Sequence, residues 1–171
     1  MWEGDMQILA SHLISLPVAA IANQSKIGEL KSVVFDPENG KVLGFLIKQS
    51  IFHKNKLLSL SDILSLDESG AVVRNQDDLV DISEVVRIDK LLKKNIPILG
   101  QRAKTESGKN LGLVDDILID TSTLCITKFY LKSLLQDKIL PYEKVYQITS
   151  KAVVFQDDVT EGKTVAEGIM A

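Results

Sequence analysis

Cysteine is almost absent from this chain of 171 residues, in which Cys125 is the only one. A single cysteine cannot form an intramolecular disulfide or a metal site of paired cysteines. We therefore expect a reducing, cytoplasmic setting. Because Cys125 follows Leu124 in an apolar segment, we expect a buried thiol that packs as a small apolar residue. Aromatic residues make up 5% of the sequence, so the core must be mainly Ile, Leu and Val, and these residues suit strands.

The sequence also has no apolar run of spanning length. The nearest candidate is residues 8–22, which falls short of the ~20 residues that a transmembrane helix needs and is interrupted by Pro17. Glu3 and Asp5 precede it, where a secretory signal would carry positive charge. We therefore interpret residues 8–22 as the buried opening of the first module and expect no transmembrane segment.

Residue patterns that would indicate an enzyme are missing too. His12 and His53 do not form a local pair, and the sequence contains no nucleophile elbow. Asp115 and Asp116 are neighbours on a predicted strand, so their side chains should point to opposite faces. The pairs at residues 77–78 and 157–158 stand at equivalent ends of two similar segments, which indicates a shared structural turn. We expect no catalytic residue, no cofactor and no metal site.

Charge is unevenly distributed along the chain. The net charge is −3 at pH 7, of which residues 1–86 contribute −5 and residues 87–171 contribute +2. A strongly basic nucleic-acid-binding protein would look different. The candidate interaction surface consists of Lys90, Lys93, Lys94, Arg102, Lys104 and Lys109. These residues could contact phosphates, although no aromatic residue is interleaved for base stacking, and an ordinary solvated face is the alternative.

The most informative feature present is an internal repeat. Residues 12–48 align with 96–132 at an offset of 84 positions, and residues 57–66 align with 139–148 at an offset of 82. The change of offset requires a loop that is two residues shorter in the second copy. Both copies end in Ala-Val-Val, at residues 71–73 and 152–154. The repeat predicts two modules of similar fold.

Each copy contains short strand-like segments joined by turns. Asp36 opens an Asp-Pro-Glu-Asn-Gly turn between two apolar segments, and Asp120 opens the corresponding turn with weaker turn residues. Gly28 and Gly112 stand near the start of a strand in both copies, which indicates a bulge or a close backbone approach. Pro141 is expected to form a rigid turn in the second copy.

These features predict four segments. We expect a first module at residues 5–80, a partly helical joining segment at 81–95, a second module at 96–158 and a loose C-terminal tail at 159–171. The helical candidate is Ile82 to Lys94, with Ser83 as its cap. An extended stretch followed by a helical turn at residues 89–94 fits almost as well.

Both copies resemble the PRC-barrel domain, a family named for the cytoplasmic domain of the photosynthetic reaction-centre H subunit. The family also includes the C-terminal domain of a bacterial ribosome-maturation factor. The resembling pattern is Gly, an apolar strand ending in Asp, a turn, a second apolar strand, then a Leu-Pro-Tyr-Glu-Lys-Val segment and an Ala-Val-Val strand. The first copy departs from it at Gln24, where the second has Gly108, and at Ser59, where the second has Pro141.

The resemblance implies a mainly all-β protein made of two tandem small closed β-barrels of about six strands each, with short helical turns at the joins. It also implies a non-catalytic binding or assembly module with a protein partner. One alternative is an RNA- or ribosome-associated maturation factor, and another is a peripheral partner of a membrane electron-transfer complex. The two barrels could pack as a pseudo-twofold pair or swap strands, and the chain could form a homo-oligomer.

Overall fold

Two β-sheets make up most of the structure, which is a computed structural model that describes residues 7–160. Each sheet has seven strands, connected within these residues by two α-helices and five 3-10 turns. The helices are α1 (Ala10–Leu13) and α2 (Val86–Lys93). The strands are β1 (Gln7–Leu9), β2 (Pro17–Ala20), β3 (Ser25–Phe35), β4 (Val42–Lys48), β5 (Lys56–Ser59), β6 (Ile63–Asp67), β7 (Gly70–Val73), β8 (Leu79–Asp81), β9 (Arg102–Thr105), β10 (Asn110–Asp120), β11 (Cys125–Lys132), β12 (Lys138–Pro141), β13 (Val145–Ile148) and β14 (Val153–Phe155).

The two sheets have corresponding strand orders. The first runs β6-β7-β2-β3-β4-β5-β8, and the second runs β13-β14-β9-β10-β11-β12 with β1 paired to β10. Neighbouring strands are antiparallel except for β2 with β7 and β9 with β14, which are parallel. The predicted fold class, a mainly β protein with barrel-like sheets, is confirmed. The seventh strand of each sheet, β8 in the first and β1 in the second, goes beyond the six expected.

The two sheets share one hydrophobic core. A single cluster of buried side chains contains residues of both sheets, among them Phe45 of β4 and Phe129 of β11. Phe129 packs edge-on against Phe155, with ring centroids 5.4 Å apart. Nearly all other members are Ile, Leu, Val and Ala, as the scarcity of aromatic residues predicts. Because buried contacts cross from one sheet to the other, each sheet stabilises its neighbour.

The β3–β4 and β10–β11 hairpins meet at their tips. The Val42 amide donates to the Leu124 carbonyl at 2.7 Å, and the Ile126 amide donates to the Gly40 carbonyl at 3.0 Å. The two donors, Val42 and Ile126, are 84 positions apart, and so are the two acceptors, Gly40 and Leu124. The contact therefore has local pseudo-twofold symmetry. Gly40 and Leu124 both have positive φ, at 69° and 54°. Leu124 therefore adopts a conformation that glycine accepts more readily.

The segment before the first sheet pairs with the second sheet. In strand β1, Ile8 stands opposite Ile119 of β10. The next segment, α1, is anchored by Ser11, whose amide donates to the buried carboxylate of Asp116 at 3.1 Å. The Ser11 hydroxyl donates to the other Asp116 oxygen. The predicted boundary placed residues from 5 onward in the first barrel, whereas strand β1 belongs to the sheet of the second.

The ungapped alignment of the two copies is wrong by one residue in their first strand. Val18 pairs with Gly28, and Ala103 pairs with Gly112. The counterpart of Ala103 is therefore Val18 rather than Ala19. Both Val18 and Ala103 are completely buried, whereas a one-residue shift would turn the wrong side chain toward the core.

A loop-length difference accounts for this shift. Four residues separate the paired residues Ala20 and Ser25, whereas three separate Thr105 from Lys109, whose carbonyl accepts the Thr105 amide. The alignment of the closing Ala-Val-Val segments is also wrong by one residue. The β2–β7 and β9–β14 ladders make Val153, rather than Ala152, the counterpart of Ala71.

Helix α2 lies against the first sheet, on the side away from the shared core. Ile88 of α2 is buried in a second small cluster with Val34 and Leu57. The Arg87 guanidinium also contacts Asp36, with Nη2 and Oδ2 2.7 Å apart. The predicted helical segment is thus present, but it begins as a 3-10 turn at Ile82–Glu84 before α2. The predicted cap, Ser83, is wrong, since it lies inside that turn.

The end of the described chain forms a further 3-10 turn, Asp157–Thr160. Within it, Val159 packs against the shared core. The turn therefore includes the first residues of the predicted tail. The remainder of that prediction, residues 161–171, lies outside the described residues.

Candidate functional site

A large groove opens on the second sheet, and we call it the β9–β11 groove. Its volume is about 1190 Å³. Strand β9, the beginning of β10, the end of β11 and the loop at residues 133–137 form its walls. The lining residues are Arg102, Ala103, Lys104, Gly108, Asn110, Gly112, Leu113, Lys132, Ser133, Leu134, Leu135, Asp137, Lys151 and Ala152.

Gly112 allows the backbones to come together where the groove begins. It has φ of 106°, and a Cβ placed there would lie 2.1 Å from the Lys132 carbonyl oxygen. The β9–β10 register shifts between Asn110 and Gly112, and the Asn110 side chain accepts the Gly112 amide at 3.0 Å. At the equivalent Gly28, a Cβ would lie 2.6 Å from Ile47 Cγ2. Only glycine fits this bulge without moving β11.

Two leucines project into solvent from the loop between β11 and β12. The relative accessibilities of Leu134 and Leu135 are 105% and 99%, and Leu113, which also lines the groove, is 49% exposed. Polar bonds hold this loop: the Ser133 hydroxyl donates to the Gln136 carbonyl at 2.6 Å and accepts the Gln136 amide at 3.0 Å. The exposed leucines therefore belong to a loop with a defined backbone.

The same loop position in the first sheet also presents apolar side chains. Ile51 and Phe52 are 77% and 87% exposed, in the loop at residues 49–55. That loop is two residues longer than residues 133–137, which accounts for the change of offset in the repeat. An exposed apolar pair is thus present on both loops, although the loop of the second sheet is the one that lines the groove.

Positive charge dominates the walls of the groove. Its charged lining residues are Arg102, Lys104, Lys132, Lys151 and Asp137. Lys132 forms an ion pair with Asp115, with Nζ and Oδ1 3.4 Å apart. Among residues 7–160, the other three cations form no ion pair with a carboxylate. The groove therefore combines exposed apolar surface with uncompensated positive charge.

The structure divides the predicted interaction surface between two places. Arg102 and Lys104 line the β9–β11 groove, and Lys109 follows the lining residue Gly108 without itself lining it. The remaining three lie on or directly after α2, which packs on the first sheet: Lys90, Lys93 and Lys94. The structure does not bring all six to one groove. Lys132 and Lys151 were missed because they are distant in sequence, and no spacing signal connects them to β9.

The predicted turn residues Asp36 and Asp120 each organise a hairpin turn. Asp36 is buried and accepts the Glu38 amide at 3.0 Å and the Asn39 side chain at 3.2 Å. Asp120 accepts the hydroxyl and the amide of Ser122. The hydrogen bond from the Ser122 hydroxyl, together with those from the Thr123 and Ser122 amides, lowers the pKa of Asp120. The two turns therefore have an aspartate at the equivalent position, but the two aspartates accept hydrogen bonds from different groups.

Pro141 ends strand β12 and precedes the 3-10 turn Tyr142–Lys144. The Tyr142 ring lies so close to Gly40 that a Cβ there would be 2.5 Å from Tyr142 Cε2. Burial raises the pKa of the Tyr142 phenol. This turn therefore connects the second sheet with the hairpin tip of the first.

The residues considered for chemistry lie apart. The His53 ring contacts the Ser50 hydroxyl at 2.6 Å in an exposed loop. Asp115 is on the surface, whereas Asp116 is buried against Ser11. Within residues 7–160, no group of three or more His, Cys, Asp or Glu residues is placed to hold a metal ion.

Cys125 departs from the sequence expectation. Its side chain is partly exposed rather than buried, because the residue lies at the junction of the two hairpins, opposite Lys41. Its thiol is directed at the Thr123 carbonyl, with sulfur and oxygen 3.5 Å apart. The apolar neighbours in the sequence therefore gave a misleading indication of burial.

Comparison with known proteins identifies one segment of the chain. Residues 6–80 match the family model of the PRC-barrel domain, and this segment contains strands β1–β7 and most of β8. A second match was not found in the remainder of the chain. A search of curated proteins found no match to this chain. Among the described residues, no helix has the length and apolar character needed to cross a membrane.

Proposed function

We propose that this protein is a non-catalytic binding and assembly module of two tandem PRC-barrel domains, in which the β9–β11 groove docks a protein partner. The family match at residues 6–80 supports the first domain. The corresponding strand order of the second sheet supports a second domain of the same kind. We further propose a cytoplasmic location, where the partly exposed Cys125 thiol stays reduced.

The observation that carries this proposal is the pair of fully exposed leucines at the groove. Exposed apolar residues scattered singly are ordinary, but adjoining ones beside a concave surface are typical of interaction sites. Leu113, Leu134 and Leu135 all line the β9–β11 groove. Burying these three side chains against a partner would stabilise the complex by roughly 25 cal/mol for each Å² of apolar area removed from water. A docked partner would supply that cover.

The residues that could do chemistry have structural neighbours instead. Asp116 anchors the segment of Ser11, and Asp157 accepts two bonds from Ser107. General acid–base catalysis would need such groups to face a common cleft. We therefore propose a role in binding rather than in turnover.

Affinity capture from native cells tests the proposal. Tagged full-length protein and the variant Leu134→Ser/Leu135→Ser would be compared, with Ile51→Ser/Phe52→Ser in the equivalent loop as the matched control. We expect a specific protein to be lost from the groove variant and retained by the control. Equal capture by all three proteins, or a demonstrated turnover activity that both variants retain, would contradict the proposal.

RNA binding is a second candidate, favoured by the positive charge of the groove. The guanidinium of Arg102 and the ammonium groups of Lys104, Lys132 and Lys151 could contact phosphates. Among residues 7–160, no aromatic side chain lines the groove to stack on a base, which makes this candidate weaker. It predicts that oligoribonucleotide binding falls steeply as salt is raised and is abolished by Lys104→Glu/Lys151→Glu. Weak binding with little salt dependence would exclude it.

A further inference from the structure

We propose that the partner segment bound in the β9–β11 groove is an acidic amphipathic peptide, with Asp or Glu side chains next to large apolar ones. This inference rests on the proposed function and names the chemistry of its partner. It follows from three properties of the groove: its size, its apolar lining and the sign of its charge.

The size of the groove fits a peptide segment. Its volume of about 1190 Å³ exceeds the roughly 300–1,000 Å³ of typical small-molecule pockets. One wall is the loop that carries Leu134 and Leu135, and the opposite wall is formed by β9 and residues 151–152. A partner that lies between these walls can contact both, as an extended strand or one side of a helix does.

Apolar contact would come from one side of the groove. Leu113, Leu134 and Leu135 offer side chains that water now covers. Large apolar residues of the partner would bury these leucines, and such central contacts supply most of the free energy of binding.

Electrostatic complementarity determines the sign of the charge expected on the partner segment. Among the described residues, Arg102, Lys104 and Lys151 have no carboxylate partner, and Asp137 is the only acidic residue that lines the groove. A basic segment would therefore be repelled, whereas carboxylates would be attracted and oriented. Because the cations are near the surface, this attraction should weaken as salt is added.

Two other anionic partners fit less well. Single-stranded RNA is usually held by aromatic stacking, and none of the described residues that line the groove is aromatic. An anionic membrane surface is broad, whereas Gly112, between the walls of the groove, is only partly exposed. A narrow chain segment reaches it more readily than a bilayer surface does.

A peptide-display selection tests the inference. Random peptides would be selected on the immobilised full-length protein, and the enriched sequences synthesised and measured by fluorescence anisotropy. We expect enrichment of Asp and Glu beside Leu, Ile or Phe, with affinity falling as salt rises. Lys104→Glu/Lys151→Glu should weaken binding by about tenfold or more. The matched control Lys90→Glu/Lys94→Glu, which changes two lysines outside the groove, should leave affinity within about twofold.

A second groove variant with a smaller change of charge controls for misfolding. Lys104→Gln/Lys151→Gln removes the charge without reversing it, and circular dichroism would verify that each variant is folded. We expect this neutral variant to bind with intermediate affinity. Equal affinity for folded wild type and both groove variants would overturn the inference, as would enrichment of neutral or basic peptides, or no enrichment.

The failure of this inference can be separated from failure of the proposed function. If no acidic peptide is selected but Leu134→Ser/Leu135→Ser still loses a native protein, the binding function stands and the acidic partner is wrong. Oligouridylate and vesicles of phosphatidylserine with phosphatidylcholine would be measured in parallel. Groove-dependent binding to either one that is tighter than to the selected peptides would also overturn the inference.

Discussion

Glycines at the mouth of the β9–β11 groove provide a test at the scale of single residues. Gly112 and Gly108 both have positive φ, but a Cβ on Gly112 would meet the Lys132 carbonyl, whereas one on Gly108 would meet nothing within 4 Å. Gly108→Ala should lower the free energy of unfolding by about 1–2 kcal/mol, the cost of the backbone conformation. Gly112→Ala adds steric overlap and should cost about 3 kcal/mol or more. Urea unfolding of both variants measures the difference, and equal losses would contradict the crowding at Gly112.

The carboxylate of Asp157 makes a contribution to stability that depends on pH. It accepts the Ser107 amide at 3.0 Å and the Ser107 hydroxyl at 2.8 Å, and these bonds lower its pKa from the ordinary value of 3.8. A lowered folded-state pKa means that its contribution to stability is present above that ordinary value and is lost as pH falls below it.

The corresponding prediction concerns the variant Asp157→Ala. Its urea midpoint should lie below that of the wild type near neutral pH, and the difference should shrink as pH falls below about 3.8. Asp77→Ala, in the equivalent 3-10 turn of the first sheet, is the matched control and should change the midpoint less near neutral pH. A constant difference at all pH values would mean that the Ser107 bonds do not depend on the charge of Asp157.

Helix α2 carries the test at the scale of elements. Ile88 is buried between α2 and the first sheet, whereas Val86 on the same helix is 60% exposed. Ile88→Ala should lower the free energy of unfolding by about 2–5 kcal/mol, and Val86→Ala should change it by less than about 0.5 kcal/mol. Chemical denaturation distinguishes the two. Similar small effects would indicate that α2 does not stabilise the first sheet.

The elements also show what the sequence could predict. Local patterns were sufficient for the hairpin turns at Asp36 and Asp120 and for the strands beside them, because turn residues and apolar segments act over a few positions. Strand β1 could not be assigned to the second sheet, since its partner Ile119 is more than a hundred positions away. Pairings of that kind depend on tertiary packing, which no local pattern encodes.

The candidate site was predicted only in part for the same reason. Arg102 and Lys104 were included because they lie close in sequence to the other basic residues of the predicted interaction surface. Lys132, Lys151 and the exposed Leu134 come from separate elements, and only the folded sheet places them around one groove. The sequence alignment of the two copies also missed the one-residue difference in the loop after β2. Adjacent apolar residues in β2 allow this strand to be aligned with β9 in either of two registers.

The whole molecule should unfold cooperatively, because buried side chains of both sheets form a single cluster. Phe45 belongs to the first sheet and Phe129 to the second, and both are almost completely buried. Phe45→Ala and Phe129→Ala should each lower the free energy of unfolding by about 3–5 kcal/mol and shift one common transition. Circular dichroism and hydrogen exchange in both sheets would follow it. Two separate transitions, with each variant shifting one of them, would contradict a shared core.

The function proposed for the whole molecule depends on whether a partner covers the β9–β11 groove in the cell. The most direct measurement is photocrosslinking in native cells, with a photoreactive residue in place of Leu134 of the full-length protein. The matched control replaces Ile21, which is 55% exposed in the β2–β3 loop and does not line the groove. The account predicts a discrete protein crosslink from position 134 that is absent from position 21. No crosslink from position 134, or the same crosslinks from both positions, would contradict it.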